Sequence, residues 1–194
     1  MVYADVFRPA VRRNAWVYDL ALVLTGSLFI AISAQLAVLL PWSPVPVTGQ
    51  TLAVLLVGAL LGSRRGSLAV LTYIAEGALG MPVFAGGAFG LARLFGPTGG
   101  YLLGFVLAAA LVGWLAERGW DRRVLTTAVA MALGNLAIYV VGVLGLSAFV
   151  GGIQPALAAG VAPFIVGDIF KLTLAALLLP GGWAALRWLG FQQR

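Results

Sequence analysis

The sequence predicts an all-α integral membrane protein with six transmembrane helices, and two features of its composition carry that prediction. Hydrophobic residues make up 62% of the 194 residues, whereas soluble domains contain about 45–50% even with glycine counted. Charged residues make up only 9%, against about 25% in soluble domains. Because a small folded chain is mostly surface, so few charges could not cover a water-exposed exterior. We therefore expect a single membrane domain.

Six apolar runs of roughly transmembrane length follow one another along the chain. We place the spans at about 18–40, 48–62, 67–80, 101–117, 124–150 and 163–186. Pro41, Pro44 and Pro46 end the first span, since proline does not continue a helix. Pro180-Gly181-Gly182 is expected to break the end of the sixth. The second and third spans are short, so either their helices extend into the loops or the bilayer thins locally.

Basic residues are distributed unequally between the two sides that this arrangement defines. One side carries ten of the twelve basic residues, namely Arg8, Arg12, Arg13, Arg64, Arg65, Arg118, Arg122, Arg123, Arg187 and Arg194. The opposite loops carry only Arg93, and Lys171 lies within the sixth span. The positive-inside rule then predicts a protein of the cytoplasmic membrane with both termini in the cytoplasm. Residues 1–15 are expected to be a cytoplasmic tail, without the apolar core of a signal peptide.

Several enzymatic chemistries are excluded by composition. The chain has no His and no Cys, which removes His-dependent triads, thiol nucleophiles and His/Cys zinc sites. An aspartyl intramembrane protease is also rejected, because Asp19 and Asp168 are predicted at opposite sides of the membrane. A binding or transport role fits better than an enzyme. The chain lacks a G-x-x-x-x-G-K-[ST] nucleotide loop, so partner subunits must supply energy or transport must be passive.

The strongest candidate site is the pair Asp168 and Lys171 in the sixth span. Spaced i, i+3 on a helix, the two side chains share one face, and Lys171 is the only lysine in the chain. Charges inside a span cost about 2.5–3.5 kcal/mol each on insertion scales, so they indicate function by default. The alternative is an internal ion pair that only neutralises itself.

Other candidates each have a structural alternative. Arg93 lies in a glycine-rich outer segment, 82–100, that we predict to be a mobile lid, although a lone arginine in a loop is often simply solvated. Gln50 and Asn135 are candidate ligand contacts or hydrogen bonds between helices. Tyr73 and Tyr101 are either site, core or interface aromatics. The role of Glu76 in the third span stays open.

Four motifs in order resemble the BioY family, the biotin-specific substrate-binding subunits (S components) of energy-coupling-factor transporters. They are Pro44-Val45-Pro46-Val47-Thr48-Gly49-Gln50-Thr51-Leu52, Tyr73 with Gly77-Ala78-Leu79-Gly80-Met81-Pro82-Val83-Phe84, Gly96-Pro97-Thr98-Gly99-Gly100-Tyr101 with Gly104-Phe105, and Pro163-Phe164 with Gly167-Asp168-x-x-Lys171. Two departures are Gly49, where the family more often has a larger residue, and the charge of Glu76.

The resemblance implies an S-component fold, biotin uptake without a cofactor, and association with a transmembrane coupling subunit and two cytoplasmic ATPases. It suggests that Asp168 accepts the ureido N–H groups of biotin, while Lys171 or Gln50 donates to the ureido carbonyl. Arg93 is then the candidate for the carboxylate, and the apolar body is expected against Tyr73, Phe84 and Tyr101. Alternatives are an S component for another vitamin and a structural membrane subunit without a ligand.

A docking face for the coupling subunit is expected on the first span. Close packing of membrane helices needs small residues, and Ser27, Ala31 and Ala34 supply them at approximately helical spacing. The resemblance points to the same helix. The alternative is that these residues only seat the first span against the protein's own bundle.

Overall fold

A computed structural model describes residues 1–9 and 11–191. Arg194 lies outside the described residues, as do the side chains of Arg12 and Arg13. The helices are α1 Tyr3–Val6, α2 Arg12–Gln35, α3 Gln50–Ala78, α4 Leu91–Leu94, α5 Gly99–Glu117, α6 Val124–Val150, α7 Ile153–Gly160 and α8 Ile165–Trp188. Two short strands, β1 Ala37–Val38 and β2 Val47–Thr48, pair antiparallel, and 3-10 turns cover Ala85–Gly87 and Trp120–Arg122.

Long apolar helices dominate the fold, as the composition predicts. Within the described residues, five helices are long and apolar enough to cross a membrane: α2, α3, α5, α6 and α8. Their outward faces carry large apolar side chains, including Leu24, Leu103, Leu136 and Leu177, each about half exposed or more. A surface of this kind is compatible with lipid and incompatible with water. The all-α prediction is correct apart from the small β1–β2 ladder.

Helix α3 is a hairpin rather than one straight rod. Its backbone leaves the helical conformation at Gly62, where φ is +85°, a value that favours glycine because it lacks a Cβ. The arms 50–61 and 63–78 then fold back on each other. A Cβ placed on Gly66 would lie 2.9 Å from the Gly58 Cα, although eight residues of continuous helix would separate them by about 12 Å. The predicted second and third spans are these two arms.

Two predicted span ends differ from the structure. Helix α2 stops at Gln35 instead of reaching residue 40, because the chain becomes extended and β1 pairs with β2. Helix α8 is not broken at Pro180 and continues to Trp188. The missing N–H of a proline is tolerated in a membrane helix where neighbours satisfy the backbone, and Tyr3 donates its hydroxyl proton to the Leu179 carbonyl beside this site.

The first nine residues, part of the predicted cytoplasmic tail 1–15, pack against the helical bundle. Val2 and Ala4 are buried, and the Met1 ammonium group donates to the Glu117 carbonyl at 3.1 Å. The Tyr3 ring packs on Trp183 with centroids 4.4 Å apart. Trp183 in turn donates its indole N–H to the buried Asp121 carboxylate, whose pKa is raised mainly by burial. The N-terminal segment thus joins the ends of α5 and α8.

The predicted docking residues on α2 point into the bundle. Ser27, Ala31 and Ala34 are 0%, 7% and 0% exposed, respectively. Ser27 donates its hydroxyl proton to Glu76 in the second arm of α3, which also gives that carboxylate a partner. The three residues therefore seat α2 against the protein's own hairpin. The expectation that they form an outward docking face is corrected accordingly.

We expect Gly58→Ala to lower the unfolding temperature of the purified protein. A Cβ at this position would lie 2.7 Å from the Ala109 carbonyl oxygen and 2.9 Å from the Ala109 Cα, and backbone cannot rotate away. Overpacking of this kind costs about 1–3 kcal/mol. Gly181→Ala is the matched control, because nothing lies within 4 Å of a Cβ there. Equal unfolding temperatures for the two variants would show that the helices separate freely at Gly58.

Candidate binding cavity

A single cavity brings together seven of the eight predicted binding residues. It has a volume of about 860 Å³ when the open space at its mouth is counted. The predicted residues that line it are Gln50, Tyr73, Phe84, Arg93, Tyr101, Asp168 and Lys171. The eighth, Asn135, lies behind the wall and contacts Asp168.

The Asp168 carboxylate occupies the buried end of the cavity, where the residue is 4% exposed. Its Oδ2 accepts from the Asn135 amide at 2.8 Å and from the Tyr139 hydroxyl. Its Oδ1 accepts from Lys171 at 3.1 Å. A carboxylate has about four acceptor positions, so among the described residues one position on Oδ1 is left for a donor in the cavity.

Lys171 has all three of its protons engaged by the protein. Besides Asp168, its Nζ donates to the Thr48 carbonyl at 2.9 Å and to the Thr51 hydroxyl at 2.8 Å. An ammonium group has three donors and no acceptor. Lys171 therefore ties α8 to β2 and to the start of α3, and it has no proton left for a ligand unless one of these bonds breaks.

A second polar group lies beside this pair. The Thr48 hydroxyl donates to the Gln50 side-chain oxygen at 3.0 Å, and the Gln50 amide donates to the Tyr73 hydroxyl at 2.6 Å. The Tyr73 hydroxyl proton and the second Gln50 amide proton have no acceptor among the described residues. Thr48 thus joins the two polar groups, since its backbone carbonyl accepts from Lys171 and its hydroxyl donates to Gln50, and together they present both acceptors and donors to the cavity.

Aromatic side chains form the apolar walls. Phe84 packs edge-on against Tyr73, with centroids 5.5 Å apart, and it fits against Gly77, where a Cβ would come within 2.2 Å of the ring. Tyr101 is held from the opposite side, because its hydroxyl donates to the Gly160 carbonyl at 2.9 Å. These fixed rings make a preformed slot for an apolar ligand body.

Arg93 is the exposed charge at the mouth. No hydrogen bond or ion pair engages its guanidinium within the described residues, in contrast to Lys171. Because Asp168 and Lys171 neutralise each other, Arg93 gives the cavity its net positive charge.

The outer segment 82–100, which carries Arg93, is hydrogen-bonded to α2. The Gln35 amide donates to the Val83 carbonyl at 3.3 Å, and the Gly87 N–H donates to the Gln35 side-chain oxygen at 3.0 Å. Its predicted mobility stays a prediction.

Sequence reasoning missed three polar residues of this site. Tyr139 lies one helical turn after Asn135 on α6, and that i, i+4 spacing on an otherwise apolar helix was an available signal. Thr48 and Thr51 lie inside the Pro44–Leu52 motif, but the motif alone does not show that they bind a lysine more than 100 residues away. Contacts of this range depend on the tertiary fold.

The fold and the cavity define a membrane-embedded solute-binding protein. The BioY family model matches residues 8–188, so the chain belongs to the BioY family, and the resemblance drawn from the motifs is confirmed. The chain is 42% identical to the biotin transporter BioY of Thermotoga maritima over 72% of this chain and 81% of the relative. It is 40% identical to the biotin transporter BioY of Rhizobium etli, covering 81% and 89%.

The fold is also similar to a solved structure. A crystal structure of the S component for biotin from an energy-coupling-factor-type ABC transporter superposes with a TM-score of 0.78 at 28% sequence identity. The match covers 88% of this chain and 93% of that one. These relatives are transporters and transporter components, in agreement with the non-enzymatic role expected from the composition.

We expect Lys171→Ala to lower the stability of the protein even without a ligand. The substitution removes three hydrogen bonds and leaves Asp168 as a buried charge without its ionic partner, a loss of about 3–5 kcal/mol. Arg93→Ala is the matched control, because an exposed arginine without partners usually contributes less than about 0.5 kcal/mol. Thermal unfolding in detergent measures both. An unchanged midpoint for Lys171→Ala would show that its three bonds are not formed in solution.

Proposed function

We propose that this chain binds biotin from outside the cell and serves in its uptake as the S component of an energy-coupling-factor transporter. The single observation that carries the proposal is the cavity, whose buried end presents hydrogen-bond acceptors and donors while its mouth presents a free guanidinium. Biotin has the same sequence of groups: a ureido ring, an apolar thiophane and tail, and a carboxylate. The related biotin transporter and the similar S component for biotin support the same ligand.

The ureido ring belongs at the Asp168 end. One of its two N–H groups meets the free acceptor position on Asp168 Oδ1, and its carbonyl accepts from the Tyr73 hydroxyl or the Gln50 amide. Asn135 and Tyr139 are positioning residues, since they hold the carboxylate through Oδ2. Lys171 acts mainly by holding Asp168 and the start of α3. A hydrogen bond to a charged acceptor contributes about 1.5–3 kcal/mol, so Asp168 dominates this end.

The carboxylate of biotin belongs at Arg93. Arginine presents a planar set of donors that fits a carboxylate, and in the described structure this guanidinium has no competing anion. Phe84 and Tyr101 enclose the apolar body between the two ends. Biotin occupies the site without a cofactor.

The topology follows the positive-inside rule. The two arms of α3 count as two of six spans, and the basic loops and both termini are cytoplasmic. This assignment is supported by the contacts that join the N-terminal segment, the α3 turn, and the ends of α5 and α8 at one end of the bundle.

A transmembrane coupling subunit and two ATPase subunits supply the energy, since the chain has no nucleotide loop. They must engage surfaces other than Ser27, Ala31 and Ala34.

Titration of the purified protein with biotin tests the ligand. Biotin should raise the unfolding temperature, because a ligand that binds only the folded state stabilises it. Asp168→Asn should weaken binding at least tenfold, which corresponds to about 1.4 kcal/mol, while the protein still inserts and purifies. Wild-type affinity in this variant would remove Asp168 from the site. Absence of any biotin effect on the native chain would favour another vitamin or a structural subunit.

Biotinamide, which lacks the negative charge, tests the assignment of Arg93. We expect Arg93→Ala to weaken biotin binding about tenfold or more but biotinamide binding by less than about threefold. Only biotin has a carboxylate that can form a charge-assisted hydrogen bond with the guanidinium. Isothermal titration calorimetry gives both affinities. Equal losses for the two ligands would mean that Arg93 shapes the mouth and does not contact the carboxylate.

A further inference from the structure

A second opening of about 1,280 Å³ lies between α2 and the second arm of α3, away from the biotin cavity. Trp16, Leu20 and Val23 line it from α2, and Leu61 and Leu68 line it from α3. Trp16, Leu20 and Val23 recur at a spacing of three or four residues, so they share one face of α2. Leu61 and Leu68 come from the two different arms of α3, on either side of the break at Gly62. Trp16 is 67% exposed and Leu68 is 52% exposed. Apolar side chains therefore form much of the wall of this interhelical groove, together with Thr72, and the groove is open at its side.

The cytoplasmic end of the interhelical groove is polar and contains three arginines. Two of them are engaged. Arg65 bonds Asp5 at 2.9 Å and Asp19 at 2.8 Å, and Arg8 bonds Asp19 at 2.6 Å. The Glu117 carboxylate accepts from the Ser63 N–H at 2.7 Å.

Arg64 differs from its two neighbours. It is exposed at the edge of the groove, and within the described residues no hydrogen bond or ion pair engages its guanidinium. A cation without a partner thus lies where the apolar walls end. The groove therefore has the same order of polarity as a membrane lipid, with a charged end and an apolar length.

We propose that the interhelical groove binds an anionic phospholipid of the cytoplasmic leaflet, with one acyl chain against Leu20, Val23 and Leu68 and the phosphate at Arg64. In the proposed topology the open side of the groove, between two membrane-spanning segments, faces hydrocarbon, so an acyl chain is the group available to fill it. Basic pockets between helices on the cytoplasmic side select anionic headgroups. The proposal rests on the topology given above, which places Arg64 in the cytoplasmic leaflet, and it is independent of the biotin site.

Native mass spectrometry of the full-length protein, with phosphatidylglycerol and phosphatidylcholine of identical acyl chains, tests the proposal. We expect the native chain to retain phosphatidylglycerol about fivefold more strongly than phosphatidylcholine. This is the preference that one basic group gives when it lies near an anionic headgroup. Arg64→Gln should reduce this preference to near one. Arg118→Gln is the matched control, since Arg118 is exposed but stacks over Trp114 outside the groove, and it should keep the preference. Leu68→Trp should reduce retention of both lipids by filling the groove.

Three results would overturn the proposal: equal retention of the two lipids by the native chain, the same loss of preference in Arg64→Gln and Arg118→Gln, or undiminished retention in Leu68→Trp. The biotin-induced thermal shift is measured on the same samples. A lost lipid preference with a normal biotin shift separates failure of this inference from failure of the proposed function.

Discussion

The buried carboxylate of Asp168 is the group on which the arrangement of the cavity depends. An ionised carboxylate inside a membrane bundle is tolerated only with donors on its oxygens. These donors come from α6, through Asn135 and Tyr139, and from α8, through Lys171. Lys171 then extends the network to Thr48 and Thr51. One carboxylate thereby draws α6, α8, β2 and the start of α3 to the same point, which is the closed end of the cavity.

This internal neutralisation shapes what the cavity can accept. Because Lys171 is fully engaged by the protein, it compensates Asp168 without attracting an anion of its own. The remaining positive charge is Arg93, at the other end and beyond the aromatic walls. A ligand complementary to these features has an uncharged polar head, an apolar middle and an anionic end. The order of groups, more than any single residue, favours biotin over a compact ion or a uniformly polar solute.

The sequence predicted the features that depend on composition and local spacing. The helix 124–150 was placed with its observed bounds, and the Asp168 and Lys171 pair was found because charge within an apolar run is conspicuous. The features it missed depend on contacts between distant segments. Tyr139 was overlooked because a tyrosine on an apolar helix has many roles, and the folding of residues 1–9 onto α8 could not be read from their polarity.

The small residues of α2 are a second case in which the sequence predicts a local property but not the tertiary contact. A helix face with Ser27, Ala31 and Ala34 permits close approach, but the spacing does not state which helix approaches. The second arm of α3 takes that place, since Gly26 lies where a Cβ would be 3.0 Å from the Ala69 Cβ and Ser27 bonds Glu76. Glu76 is also the charge that the resemblance to the family did not lead us to expect. Its bond to Ser27 gives this charge a local structural role between two helices.

The packing at the far end of α8, where Trp183 lies, bears on how a solute could leave the cavity. Trp183 lies twelve residues after Lys171 on α8, about 18 Å further along the helix axis. There it is fully buried between Tyr3 and Asp121, while the Met1 ammonium group and the α3 turn are held by Glu117. Passage through the bundle would break these contacts, and the alternative is reorientation of the whole bundle in the membrane. The chain has no nucleotide loop with which to drive either change. The structure therefore favours a binding subunit whose release step depends on energy from other chains.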